Sequence, residues 1–310
     1  MSWFPPPKPI ETKVFTSMPE HFRRPRRSAW ADANKGGAPI DSFLEGPAFD
    51  RDGNLYVTDI PHGRVFRIDQ GGEWSLVAEY DGWPNGLKIG RDGRILITDY
   101  RKGLMALDPA TGTVTPHLET VGSEGFRGVN DLAFAANGDI YFTDQGQTGM
   151  QDPTGRVYRL TADGRLDRLL STCPSPNGLV LNKAGTHLYV ALTRSCQIWR
   201  MAVGRDSIVG KANVFAQLPG GVSGPDGLAM DEEDGLAICD PGHGCVWILD
   251  RWGVPTHIVQ SCAGRTLTNL AYGGPGRSQL FITDSETGQV LVAEAPVPGR
   301  ALVSHEETGA

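Results

Sequence analysis

The chain has 310 residues, with 29 Lys and Arg against 36 Asp and Glu, a formal charge of −7, and 40 Gly with 22 Pro. The acidic balance excludes a nucleic-acid binder that works by broad phosphate neutralisation and disfavours docking on an anionic membrane surface. With one residue in five a turn former, few fifteen-residue windows escape a Gly or Pro, so long amphipathic helices are excluded and the composition reads as all-β.

The N-terminal MSWFPPPKPIE has no apolar stretch of the secretory kind. No apolar run reaches the roughly 18 residues that span a bilayer. KVFT (13–16) is predicted as a strand that closes a ring from outside, a role that ALVSH near the C-terminus could also fill. Residues 23–43 match no strand template and are expected to drape over one end, possible material for a lid. Six copies of one hairpin follow: EGPAFDRDGNLYVTD from Glu45, NGLKIGRDGRILITD from Asn85, NDLAFAANGDIYFTD from Asn130, NGLVLNKAGTHLYVA from Asn177, DGLAMDEEDGLAICD from Asp226 and NLAYGGPGRSQLFITD from Asn269. Each pairs two short alternating runs across a Gly-containing turn. A third strand (GRVFRI, GLMALD, GRVYRL, CQIWRM, GCVWIL, GQVLVA) follows every copy, and a fourth follows most. Four antiparallel strands repeated about every 45 residues define a propeller blade. The prediction is one domain over 1–310, a six-bladed β-propeller of four-stranded antiparallel blades running from about 45 to 303. The five cysteines include no CxxC and no zinc spacing with His, which favours buried free thiols in a reducing, cytoplasmic setting.

Repetition separates structural from functional positions. The closing Asp recurs at Asp59, Asp99, Asp144, Asp240 and Asp284, with Ala191 in the fourth copy, and is expected to bind backbone N–H groups of its own blade. DRDGN at Asp50 has its Gly in the fourth place, where a calcium loop needs it sixth, so it reads as a hairpin turn. The first position varies: Glu45, Asn85, Asn130, Asn177, Asp226, Asn269. These side chains should converge on the propeller axis, where oxygen donors without His or Cys suit either a hard divalent ion or channel water. Loops around that ring contribute a mixed polar and aromatic mouth, with His62, Trp83, Tyr100, Arg101, Phe126, Arg127, Asp131, Gln145, Gln147, Arg194, His243 and Glu286. GxSxG, HExxH, a P-loop and a complete GxGxxG are all lacking.

LEGPAFDRDGNLYVTDI, PNGLVLNKAGTHLYVA and GPDGLAMDEEDGLAICD resemble the SMP-30/gluconolactonase/luciferin-regenerating-enzyme-like family of six-bladed propellers, over essentially all of the chain from Phe43. The resemblance implies one divalent cation held by Glu45, Asn177 and Asp226, with Asn130, of an ND dipeptide, at the metal or the substrate. It also makes Asp226 the catalytic acid/base. Sugar-lactonase members carry an Arg two residues before that Asn, where this chain has Gly128, with Arg127 one position further back. A substrate-contacting Glu after the third blade's second strand is replaced by the loop of Gln145 and Gln147.

The expectation is therefore a metal-dependent hydrolase of a small lactone. Ca2+ is the first choice of ion, with Mn2+, Zn2+, Mg2+ or Fe2+ as alternatives. Substrate would meet Asn130, Asn85, Asp131, Arg127, Trp83, Tyr100, Gln145 and His243, in a protein that is monomeric or weakly self-associating and binds neither nucleic acid nor membrane. Phosphotriester hydrolysis on the same scaffold, or a non-enzymatic binding propeller, are the alternatives.

Overall fold

A computed structural model describes residues 5–204 and 210–305. Met1–Phe4 of the N-terminal run therefore lie outside the described residues. Among the described residues, six sheets are arranged as a six-bladed β-propeller, and a separate two-stranded ribbon pairs Thr120–Val121 with Glu124–Gly125. The inner strands are Leu44–Phe49, Pro84–Ile89, Val129–Phe134, Pro176–Leu181, Leu228–Met230 and Leu267–Gly273. Each lies against the inner strand of the next blade, and the sixth lies against the first.

The alternating apolar runs of the repeat account for the packing. An inner or second strand has a blade on either side, so both of its faces are covered: Leu55–Asp59, Ile95–Asp99, Ile140–Asp144, Leu236–Asp240 and all of Leu44–Phe49 are buried. Outer strands such as Thr113–Leu118 hold only exposed and half-buried residues. The hydrophobic core is accordingly split into six clusters, one at each seam between neighbouring blades.

Ring closure falls to the N-terminus. Strand β2 (Lys13–Ser17) pairs antiparallel with Gln289–Glu294 of the last blade, while ALVSH forms no strand and ends in a 3-10 turn at Val303–His305. Strand β1 (Lys8–Glu11) adds a parallel fifth strand to blade 5, beside Pro255–Gln260. Its KPIE sequence lacks the alternation that would announce it. The 23–43 segment holds helix α1 (Ala29–Asn34), with Ser28 capping it through the Ala31 N–H at 3.1 Å. DRDGN is a hairpin turn, in which the Asp50 carboxylate accepts the N–H groups of Asp52 and Asn54. Cys173, Cys239 and Cys245 are buried thiols, whereas Cys196 is half-buried and Cys262 exposed.

The closing Asp binds its own blade. Asp59, Asp99 and Asp144 accept the N–H of Phe43, Trp83 and Gly128 at 2.7, 2.9 and 2.8 Å, and so pin the loop that leads into each inner strand. The preceding Thr reaches the next blade. Thr58 donates to the Asn85 carbonyl at 2.6 Å and Thr143 to that of Asn177 at 2.8 Å, while Thr98 bonds the Asn130 carbonyl. In the fourth copy strand pairing puts Leu192, not Ala191, at the closing position, opposite Pro176.

Blade 1 adds a buried cation. Arg64 is almost fully enclosed, donates from Nε to Asp59 at 2.8 Å and from Nη1 to the Phe22 carbonyl at 2.6 Å, and also bonds the Asp41 carbonyl. Loss of one partner from a buried pair leaves the other charge uncompensated. Arg64→Met is expected to lower the unfolding free energy by about 3–5 kcal/mol in urea titrations. Asp59→Asn added to it should recover part of that loss.

Candidate active site

The inner strands build two levels of side chains on the axis. The upper level consists of the residues one beyond the strand-pair partner of the closing position, Glu45, Asn85, Asn130, Asn177 and, in the sixth blade, Thr268, with Asp226 of blade 5 beside them, two residues before Leu228 of its inner strand. Asn269, expected in this ring, sits one residue deeper, because Leu267 is the residue opposite Asp284 and the sixth hairpin is longer. The lower level is Gly46, Gly86, Asp131, Gly178, Gly227 and Asn269. A Cβ at Gly178 would lie 2.3 Å from the Asp226 carbonyl, and one at Gly227 2.2 Å from Asn269 Oδ1. The axis is too crowded there for six side chains, and it holds two.

A cavity of about 270 Å3 opens above the ring. Glu45, Asn85, Asn130, Asn177 and Asp226 form its floor, and Trp83, Tyr100 and Gln145 stand in its wall. The Trp83 and Tyr100 rings are 6.1 Å apart and tilted by 34°, an aromatic side held by the Asp99 contact to the Trp83 N–H. Three sequence candidates lie elsewhere. Asp131 is below the floor, 3.6 Å from Lys88 Nζ. Arg127 turns its guanidinium to Thr154, and its stem packs on Gly146. His243 is 3.1 Å from Asp240, which also accepts from Trp247 Nε1, so it belongs to the strand-two contacts of blade 5. An Arg at the Gly128 position would have to displace the Tyr100 ring, since a Cβ there would lie 2.5 Å from it. Of the other loop residues, Arg194 lines the cavity, Phe126 packs on Phe142 and Tyr158, and Arg101 ion-pairs with Asp81.

Residues not foreseen on the cavity wall include Trp30, Asn34 and Lys35 from α1 and its end, together with Ser175 and Thr193. The Ser28 cap and the Gly36-Gly37 stop were local signals for the helix, but its docking on blade 1 depends on distant partners. Trp30 packs 4.7 Å from Phe43, and Arg26 donates to His62 Nδ1 at 3.0 Å.

Two buried carboxylates dominate the electrostatics. Burial pushes Glu45 up to about 7, against the bonds it accepts from the Gly46 N–H (2.8 Å) and Asn269 Nδ2 (2.9 Å). Burial, then the negative charges of Glu45 and Asp131, raises Asp226 well above the ordinary carboxylate range. Neither forms an ion pair among the described residues. The amide nitrogens nearby are engaged, Asn130 Nδ2 by Gln145 Oε1 at 3.1 Å and Asn177 Nδ2 by Thr193 Oγ1 at 3.3 Å. That leaves the amide oxygens for a ligand. Among the described residues no three His, Cys, Asp or Glu side chains converge to hold an ion alone, so any cation here is shared between Glu45, Asp226 and amide oxygens. This hard, His-free and Cys-free donor set fits a divalent cation of the calcium type.

The molecule is thus a six-bladed propeller with an acid–amide centre on its axis beneath a small polar and aromatic cavity. The chain belongs to the SMP-30/gluconolactonase/LRE-like family, whose SMP-30/Gluconolactonase/LRE-like region matches residues 43–286. It is 28% identical over 274 residues to a gluconolactonase of Zymomonas mobilis, covering 78% of this chain and 76% of that one. It is 27% identical over 240 residues to lactonase drp35 of Staphylococcus aureus, covering 73% and 71%. Among solved structures it superposes on the calcium-binding protein regucalcin of Agrobacterium tumefaciens with a TM-score of 0.76 at 22% identity, covering 95% and 98%. No helix among the described residues is long and apolar enough to cross a membrane.

His62 gives the N-terminal segment a pH dependence. Burial, with Arg64 and Arg26 beside it, pushes its imidazole down from 6.5 to about 4. Between those values the unfolded chain takes up a proton that the folded chain refuses, so stability falls as pH drops from about 6.5 towards 4. Urea midpoints across that window should show the fall. His62→Gln, which keeps an acceptor for Arg26, should flatten it, and an unchanged slope would assign the effect to other groups.

Proposed function

We propose that the protein is a hydrolase that opens a small lactone ring with the help of one divalent cation, Ca2+ being the best match to the donors. The observation that carries this reading is the pair of buried, ion-pair-free carboxylates, Glu45 and Asp226, on the floor of a cavity sized for a small molecule. Membership of the family and the lactonase relatives support the same chemistry.

Glu45, Asn177 and Asp226 would hold the ion, with Asn130 beside them. A bound divalent cation supplies Lewis-acid polarisation of the lactone carbonyl and keeps both carboxylates ionised. Asp226 accepts a proton from water as the water oxygen bonds to the carbonyl carbon. It returns that proton to the ring oxygen as the carbon–oxygen ester bond breaks, and a hydroxy acid leaves. Asn130 and Asn85 orient water and substrate by hydrogen bonding, with Asn130 fixed through Gln145, which in turn donates to Ser175 Oγ at 3.0 Å. Trp83 and Tyr100 cover one face of the ring.

Hydrolysis by pH drift should disappear when the protein is stripped with EDTA and return with added Ca2+. Asp226→Asn is expected to lower kcat by about 10²–10⁴-fold with an unaltered far-UV spectrum. Because a ligand of the folded state alone raises its stability, Ca2+ should also raise Tm in the wild type and do so far less in Glu45→Gln. A wild-type rate in Asp226→Asn would falsify its role as acid and base.

A further inference from the structure

We propose that the cavity continues into a second, polar subsite between the loops of blades 3 and 4, and that the substrate is a lactone carrying an additional sugar unit, an aldobionolactone. The inference rests on the lactonase reading above.

A second cavity of about 390 Å3 adjoins the first, and Asn34, Tyr100, Gln145, Ser175 and Arg194 line both. Ligand clefts generally run to about 300–1,000 Å3. The ring cavity alone, at about 270 Å3, falls just below that range, and the two together lie well inside it.

The lining of the second cavity is chemically distinct from the floor of the first. It contains no Asp or Glu, and is instead rich in side-chain amides, with Gln147 and Gln151 added to Asn34 and Gln145. An amide offers both donors and an acceptor, as a sugar hydroxyl does, and so can satisfy a polyol from either side. Met150, 68% exposed, supplies an apolar patch for the C–H face of a pyranose. Tyr100 stands between the two cavities, and its hydroxyl accepts from Gln147 Nε2 at 2.9 Å.

The subsite opens where the repeat departs from its own rule. Blade 4 has Leu192 in place of the closing Asp, so no carboxylate pins the loop entering its inner strand. Thr148 of the neighbouring blade accepts the Ser175 N–H instead, at 3.1 Å, and Ser175 adopts a left-handed conformation with φ 62°. A buried non-glycine residue held in that region marks a backbone shaped by something besides blade geometry.

The test compares cellobiono-1,5-lactone with glucono-1,5-lactone by pH drift, and cellobionate with gluconate by calorimetry, in wild type and Gln151→Ala. Wild-type kcat/KM should favour the disaccharide lactone by about tenfold or more, the worth of one or two neutral hydrogen bonds. Gln151→Ala should lower that value by about 3–10-fold and leave the glucono-1,5-lactone rate unchanged. Cellobionate should bind more tightly than gluconate only when Gln151 is present. Equal kcat/KM and equal affinities would overturn the subsite and leave the lactonase reading standing. An equal loss for both substrates in Gln151→Ala would also overturn it. Gln151-dependent preference for cellobionate without hydrolysis of either lactone would overturn the lactonase reading and retain the sugar subsite.

Discussion

The structure depends on the buried Thr-Asp pair that ends the second strand of a blade. In blades 1 to 3 the Asp carboxylate ties down the loop leading into its own inner strand, and the Thr hydroxyl ties that strand end to the inner strand of the next blade. Asp59, Asp99, Asp144 and Asp284 are entirely buried, as are Thr58, Thr98, Thr143 and Thr283. An unmet polar group in such a place costs about 1–3 kcal/mol, so the contacts are required wherever the residues occur. Asn85 and Asn130 are thereby held from two sides and Glu45 and Asn177 from one, while Asp226 is held by other bonds, its own N–H to the Cys239 carbonyl at 2.9 Å and the Thr193 hydroxyl to the preceding Pro225 carbonyl at 2.8 Å.

Crowding explains why the centre is asymmetric. Small residues below the ring allow the inner strands to approach within van der Waals contact, and only Asp131 and Asn269 place side chains on that level. Asn269 Nδ2 lies 2.9 Å from Glu45 and 3.5 Å from Asp131, so one amide bridges two carboxylates along the channel. Lys88 approaches Asp131 from the other side and is the only ammonium paired with a carboxylate of this channel among the described residues. A sixfold repeat thus yields a directional site because two of its twelve axial positions break the pattern.

The repeat, the six blades, the closing strand and five of the six ring residues were legible in the sequence, because hairpin periodicity is a local property. Placing Asn269 failed for a local reason as well: a hairpin two residues longer than those of blades 1 to 3 shifts the count, and only strand pairing shows that Thr268 occupies the ring. Other features were written in contacts between distant segments. Strand β1 pairs in parallel with residues about 250 positions away. Arg127 sits one place from the position a family pattern would favour, and that position, Gly128, is crowded by the ring of Tyr100 from the preceding blade. Asn34 and Lys35 reach the cavity because Arg26 and Arg64 fasten their segment to blade 1 and Arg23 ties it to the Thr287 carbonyl of blade 6.

The same fastening bears on the energetics of the site. Burial without a neutralising partner drives Glu45 and Asp226 towards protonation, and each raises the cost of charge on the other. A solvent-exposed ring would relieve that repulsion with water and counterions. Here α1, Phe43, Trp83 and Tyr100 wall the cavity, so the repulsion is relieved either by protonation or by a cation that enters it. A divalent ion matches two carboxylates in charge and the surrounding amide oxygens in hardness, and its affinity would draw on repulsion already present in the empty fold. Under the proposed function the ion would meet two carboxylates that the backbone already holds near one another, Glu45 through the Asp59 contact to the Phe43 N–H and Asp226 through its own N–H to the Cys239 carbonyl.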